Sequence, residues 1–237
     1  MRDERERYRT CARPDIGVHR TVSRGVLDAL GGLPLFITAP LYRRRHMRWG
    51  ATDEEVRGAM PGDDIVPKIS FNATRAITIE APPERVWPWI VQMGYRRAGF
   101  YTYDLLDNAC HESADRVLEE YQHPQIGDWT PMAKEVNETT AFRVKAFETD
   151  QWLLWEKPDS TWAWKLIPLA GGRTRLIARL KARYQWESPA MAVMSLLLEF
   201  GDFPMMRRVL RGIRVRAERM SPAGGASDAS RMTGGSP

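Results

Sequence analysis

The run from Thr74 to Met93 constrains this chain most, because it passes from a strand to a helix with only Pro82-Pro83 as a boundary. Ile77 and Ile79 share one strand face with Arg75, while Ala76, Thr78 and Glu80 take the other. Proline cannot extend a sheet ladder but suits the first turn of a helix. Val86, Trp87, Ile90 and Met93 then recur at helical spacing, which predicts a helix with one apolar face turned to a sheet.

The segments 128–132, 142–148, 151–157, 161–169 and 173–186 read as further strands, with Gly171-Gly172 as the clearest hairpin turn, so an antiparallel meander is expected. In the last strand Leu176, Ala178, Leu180, Ala182 and Tyr184 alternate with Arg175, Ile177, Arg179, Lys181 and Arg183, giving an apolar and a basic face. The same alternation gathers Trp162, Trp164 and Leu166 on one face. Ser188-Pro189 opens a helix that is apolar almost all round over 191–200. Gly201-Asp202-Phe203-Pro204 is expected to break or bend it before Met206, Val209, Leu210, Ile213 and Ala217 continue the stripe. Thr52-Asp53-Glu54-Glu55 has the form of a capping box, predicting a short helix that starts at Asp53 and ends before Pro61-Gly62. Residues 100–110 read as a second short helix with Tyr101, Asp104, Leu105 and Asn108 on one face.

The sequence Ala81-Pro82, then Val86-Trp87 after three residues, following a strand, resembles the opening of the START-like superfamily, also called SRPBCC. Trp49 to Val56 and Met60-Pro61-Gly62-Asp63 are similar to the leader of one bacterial branch of it. The resemblance implies an α+β helix-grip fold: a curved antiparallel sheet wrapped round a long C-terminal helix, with a hydrophobic ligand cavity between them. On that basis residues 61–220 form the domain, 26–60 a helical extension, and 1–25 and 221–237 poorly ordered ends.

Two functions remain open at this level. One is binding of a hydrophobic small molecule or lipid in an aromatic-lined cavity, with Trp129, Trp152, Trp162, Trp164, Met194, Leu197 and Leu198 as its lining. The other is cyclase/dehydrase-type chemistry on a polyketide-like or other carbonyl-bearing substrate in the same cavity, as some superfamily members carry out. Tyr101, Tyr103, Asp104 and His111 are the candidates for that work: a phenol can donate to a carbonyl oxygen, and a carboxylate or imidazole can take a proton from the adjacent carbon. A metal is not expected, since Asp107, Cys110, His111 and Asp115 include a single histidine and no paired ligand motif. No cofactor is implied, because no strand-Gly-x-Gly-helix unit and no paired Cys/His motif occurs.

Charge is unevenly spread. Residues 1–50 hold 11 Lys/Arg against 5 Asp/Glu, residues 51–170 hold 12 against 20, and residues 171–237 hold 12 against 5. The basic ends read first as solvated arginine faces, and second as a route to an anionic membrane surface. Nucleic acid is not expected as a partner, for want of any helix-turn-helix, zinc-finger or aromatic-basic motif. The apolar stretch 26–42 contains Asp28, Pro34 and Pro40 and is at the short limit of a span, so it reads first as a helix packed on the domain or over the cavity mouth; a cytoplasmic protein is expected, peripheral to the membrane through residues 26–48 if it touches one. The two cysteines, Cys11 and Cys110, suggest no disulfide framework.

Overall fold

A computed structural model describes residues 30–31, 33–34, 39–184 and 189–220. Six strands, β1 (Phe71–Ile79), β2 (Trp129–Pro131), β3 (Ala141–Glu148), β4 (Trp152–Lys157), β5 (Ser160–Leu169) and β6 (Arg173–Ala182), form one antiparallel sheet in the order β1-β6-β5-β4-β3-β2. Among the described residues, helices form at α1 (Arg43–His46), α2 (Asp53–Arg57), α3 (Pro83–Val91), α4 (Asp104–Asp107) and α5 (Pro189–Arg219). A meander closed by β1, with a long C-terminal helix laid on one face, is a helix-grip arrangement.

Period-two alternation decides which side chains meet that helix. Ile77 and Ile79 of β1, Leu176 and Ala178 of β6, Trp162, Trp164 and Leu166 of β5, and Leu153 and Trp155 of β4 turn to the inner face. There they join Val86, Trp87 and Ile90 of α3 and Met206, Val209, Leu210, Ile213 and Ala217 of α5 in one core. Full burial of a large apolar side chain contributes about 1.5–3 kcal/mol, so this face holds the sheet, α3 and α5 together.

The outer face of β6 departs from the solvated reading. Residues 50–63 lie over it, and its basic side chains are the anchors. Glu55 closes the capping box with Thr52 and also grips Arg175, with Nε to Oε1 at 2.7 Å and Nη2 to Oε2 at 2.9 Å. Arg179, only 4% exposed, donates to Thr74 Oγ1, to the carbonyls of Glu55, Val56 and Gly58, and to Asp63 at 2.6 Å. Lys181 reaches Asp63 at 2.8 Å. The Arg175 bond draws the Glu55 carboxyl below its ordinary value; for Asp63, burial pulls upward but Lys181, the Met60 amide and Arg179 together take it below. Gly50 lets the strap lie close: it has φ +73°, and a Cβ there would sit 2.1 Å from the Ala76 carbonyl oxygen. The leader residues Gly50, Thr52, Glu55 and Asp63 are therefore a clamp on β1 and β6.

Two other expectations are corrected. Helix α5 is continuous through Gly201-Asp202-Phe203-Pro204, so no break occurs there, and the segment is tied to its neighbours: Asp202 pairs with Arg75 and Phe203 stacks on His46. The helix expected over 100–110 shrinks to the single turn α4, since Tyr101, Ala109 and Cys110 have φ of +60°, +48° and +65°. Among the described residues, no helix is long and apolar enough to cross a membrane.

Candidate ligand site on the inner face

Sheet register builds an aromatic cluster at the centre of the inner face. Trp162 lies opposite Trp155 on β4 and Leu180 on β6, and Trp164 lies opposite Leu153 and Ala178. Directly opposed residues share a face, so the three indoles converge. Their centroids are 5.4 Å (Trp155–Trp162), 6.0 Å (Trp155–Trp164) and 5.0 Å (Trp162–Trp164) apart, and Phe142 adds an edge contact to Trp162 at 5.8 Å. Such pairs add about 0.5–1.5 kcal/mol each beyond area burial, which makes a rigid aromatic floor.

The proposed lining is not brought together as one set. Trp162 and Trp164 are at this centre. Trp152 is on the opposite face, where it packs with Met60 and Leu154 and donates from Nε1 to Glu148 at 3.2 Å. Trp129 is half-buried on the short strand β2 with the Arg143 guanidinium 3.8 Å over its ring. Met194, Leu197 and Leu198 fall on the first half of α5, and their side chains lie outside the described residues. Trp155 takes the place assigned to Trp152. Alternation alone did not separate them, because both faces of β4 are apolar: Leu153 and Trp155 face the core, while Trp152 and Leu154 face the leader.

The four acid-base candidates also part company. Tyr101 is buried; its hydroxyl donates to the Trp89 carbonyl at 3.0 Å and accepts from Gln92 at 2.9 Å, while Arg216 lies 4.4 Å over its ring. Burial pushes its phenol well above the ordinary range, with Gln92 and Arg216 opposing. Gly212 of α5 permits this packing, since a Cβ there would come within 2.5 Å of Tyr101 Cβ. Tyr103 is buried beneath the Arg208 guanidinium, 4.0 Å from the ring centre. Asp104 accepts from both the hydroxyl and the amide of Ser113, at 2.5 and 3.0 Å, and so fastens its own loop. His111 is exposed, with Nδ1 near the carbonyls of Asn108 and Ala109 and Nε2 3.4 Å from Arg96. No three His, Cys, Asp or Glu side chains among the described residues are grouped to hold a metal.

Three features depend on tertiary contacts that the sequence pattern does not carry. Asp107 has both carboxylate oxygens buried, and no hydrogen bond of ordinary length and angle reaches either from the described residues. Burial first, and the Asp104 charge second, push it up to about 7 against the weaker pull of Thr102. Arg75, on the inner face, pairs with Asp202 at 2.5 Å and donates from Nε to the His46 carbonyl at 2.8 Å, joining β1, α5 and α1. Finally, Trp162 Nε1, Trp164 Nε1 and Thr130 Oγ1 are all buried without a hydrogen-bond partner among the described residues. Thr130 is paired with Phe142, so it belongs to the same face as the indoles.

No family model matches this chain, and no curated protein matches it. Solved structures do. The chain is similar to the Zhui aromatase/cyclase from Streptomyces sp. R1128, at 17% identity and TM-score 0.40, with 66% of this chain and 99% of that one covered. A polyketide-cyclase-like protein from Corynebacterium glutamicum matches at 16% identity and TM-score 0.38, with 63% and 91% covered.

Proposed function

We propose that the protein binds a hydrophobic small molecule or lipid between the inner face of the sheet and α5. The observation that carries this is the convergence of Trp155, Trp162 and Trp164 on one face, a rigid apolar floor suited to a flat molecule or an acyl chain. Cyclase/dehydrase-type turnover has less support: Tyr101 and Asp104 are committed to bonds within the protein, and His111 is exposed. Native mass spectrometry of the purified protein is expected to show a species carrying a bound apolar molecule, and a hydrophobic fluorophore to quench tryptophan emission saturably. A bare polypeptide mass together with linear, unsaturable quenching contradicts the proposal.

The same reading includes a peripheral encounter with an anionic membrane. Leu41 is 78% and Tyr42 57% exposed, Arg44 and Arg45 beside them are exposed with no ion pair among the described residues, and Arg207 and Arg211 of α5 lie 5.9 and 5.7 Å from the Trp49 ring centre. Apolar tips inside a basic rim suit a surface of acidic headgroups, where each cation contributes about 1 kcal/mol and is screened by salt. The protein is expected to sediment with vesicles containing phosphatidylserine and to be released as salt rises. Equal behaviour with pure phosphatidylcholine vesicles removes the electrostatic part.

A further inference from the structure

We infer that the ligand of the inner face carries a neutral oxygen acceptor, a carbonyl above all, held by the indole N–H groups of Trp162 and Trp164. This rests on the proposal of a hydrophobic ligand and specifies its polar end. Trp162 and Trp164 are 5% and 0% exposed, and both Nε1 atoms are buried without a partner among the described residues. An indole nitrogen is a donor only, so it offers nothing to a ligand's N–H and bonds to an acceptor alone. Leaving a buried donor unpaired is costly, and tryptophan in a protein interior ordinarily finds a partner for its N–H. The two donors lie on neighbouring rings, with centres 5.0 Å apart, and each is open to an acceptor oxygen. A phenylalanine at either place would have filled the core without that cost.

Charge selects among acceptors. The buried cation in the same cross-strand row is Arg75, opposite Ala178, which is opposite Trp164. Its guanidinium is already neutralised by Asp202 at 2.5 Å, with side chains 2% and 4% exposed. A carboxylate beside Trp164 would find the Arg75 charge already matched by Asp202 and would add the desolvation of its own. A ketone, quinone or ester oxygen meets two donors and brings no charge. Thr130 Oγ1, also unpartnered on this face, can donate or accept and serves a second oxygen on the same molecule.

The test uses 9-fluorenone, its hydrocarbon counterpart fluorene and fluorene-9-carboxylate, with the full chain labelled with ¹⁵N at tryptophan. Fluorenone is expected to bind at least tenfold more tightly than fluorene, and to move the indole N–H resonances of Trp162 and Trp164 downfield. Trp162→Phe and Trp164→Phe are expected to bring the ratio of fluorenone to fluorene affinity towards one, since each removes an N–H that only the ketone can use. The resonance shifts are read on the unaltered protein, so the outcome does not depend on the variants folding. Equal binding of fluorenone and fluorene with unmoved indole resonances overturns the carbonyl site and leaves the hydrophobic site standing. Tighter binding of the carboxylate than of the ketone overturns the neutral class. Failure of all three to bind overturns the inference together with the binding proposal beneath it.

Discussion

Asp202→Asn is expected to lower stability by about 3–5 kcal/mol, because it leaves the Arg75 guanidinium buried and without its counter-charge. The two side chains are 2% and 4% exposed and 2.5 Å apart, so water offers little relief. Arg75 also donates to the His46 carbonyl, and Phe203, beside Asp202, stacks on the His46 ring at 3.8 Å. Losing the pair thus loosens α1, β1 and α5 together. Removing both charges is a different experiment: Arg75→Met with Asp202→Leu replaces the pair by apolar side chains and is expected to recover most of the loss. Urea denaturation of the two single variants and the double variant measures this, and the single-variant losses should change little with added salt, since buried pairs are weakly screened. Single variants as stable as the parent protein would mean that the pair is not sealed from water.

Asp107→Asn is expected to act in the opposite direction and only above acidic pH. The carboxyl is held at about 7, from an ordinary 3.8, by burial first and the neighbouring Asp104 charge second. Between those two values the folded chain keeps a proton that the unfolded chain has released, so stability falls as pH rises through this window. Below 3.8 both states are protonated and Asp107 costs nothing; above 7 the full cost applies, at most about 4 kcal/mol for a shift of this size. The asparagine variant removes that slope. Denaturation midpoints measured from pH 4 to pH 8 should therefore converge at the acid end and separate at the alkaline end, with the variant the more stable. Parallel curves at all pH values would show that Asp107 ionises freely in the folded protein.

The meander was legible in the sequence because its signal is local. Alternation in β5 and β6 put Trp162, Trp164, Leu176 and Ala178 on one face, and the structure pairs them there. The Thr52–Glu55 capping box was legible for the same reason, since its partners are three residues apart. The 101–111 segment was not: the left-handed Tyr101 and the Asp104–Ser113 bonds belong to a loop shaped by contacts across many residues. Two of the four acid-base candidates consequently turned inward, and the others went to a loop fastening and to solvent.

Local pattern set the order of strands and helices, which face of β1, β5 and β6 is apolar, and the supply of aromatic residues for a core. Those follow from side-chain periodicity and turn chemistry, which act over a few residues. Only the tertiary structure decided which polar groups are buried and what meets them. Arg175, Arg179 and Lys181 read as a solvated face until residues 50–63 cover them, and Trp152 and Trp155 read alike until the leader takes one side of β4 and the core the other. The physical reason is that the cost of a buried charge or N–H is set by its partner, and that partner is brought from more than a hundred residues away in the pairs Glu55–Arg175, Asp63–Arg179 and Arg75–Asp202.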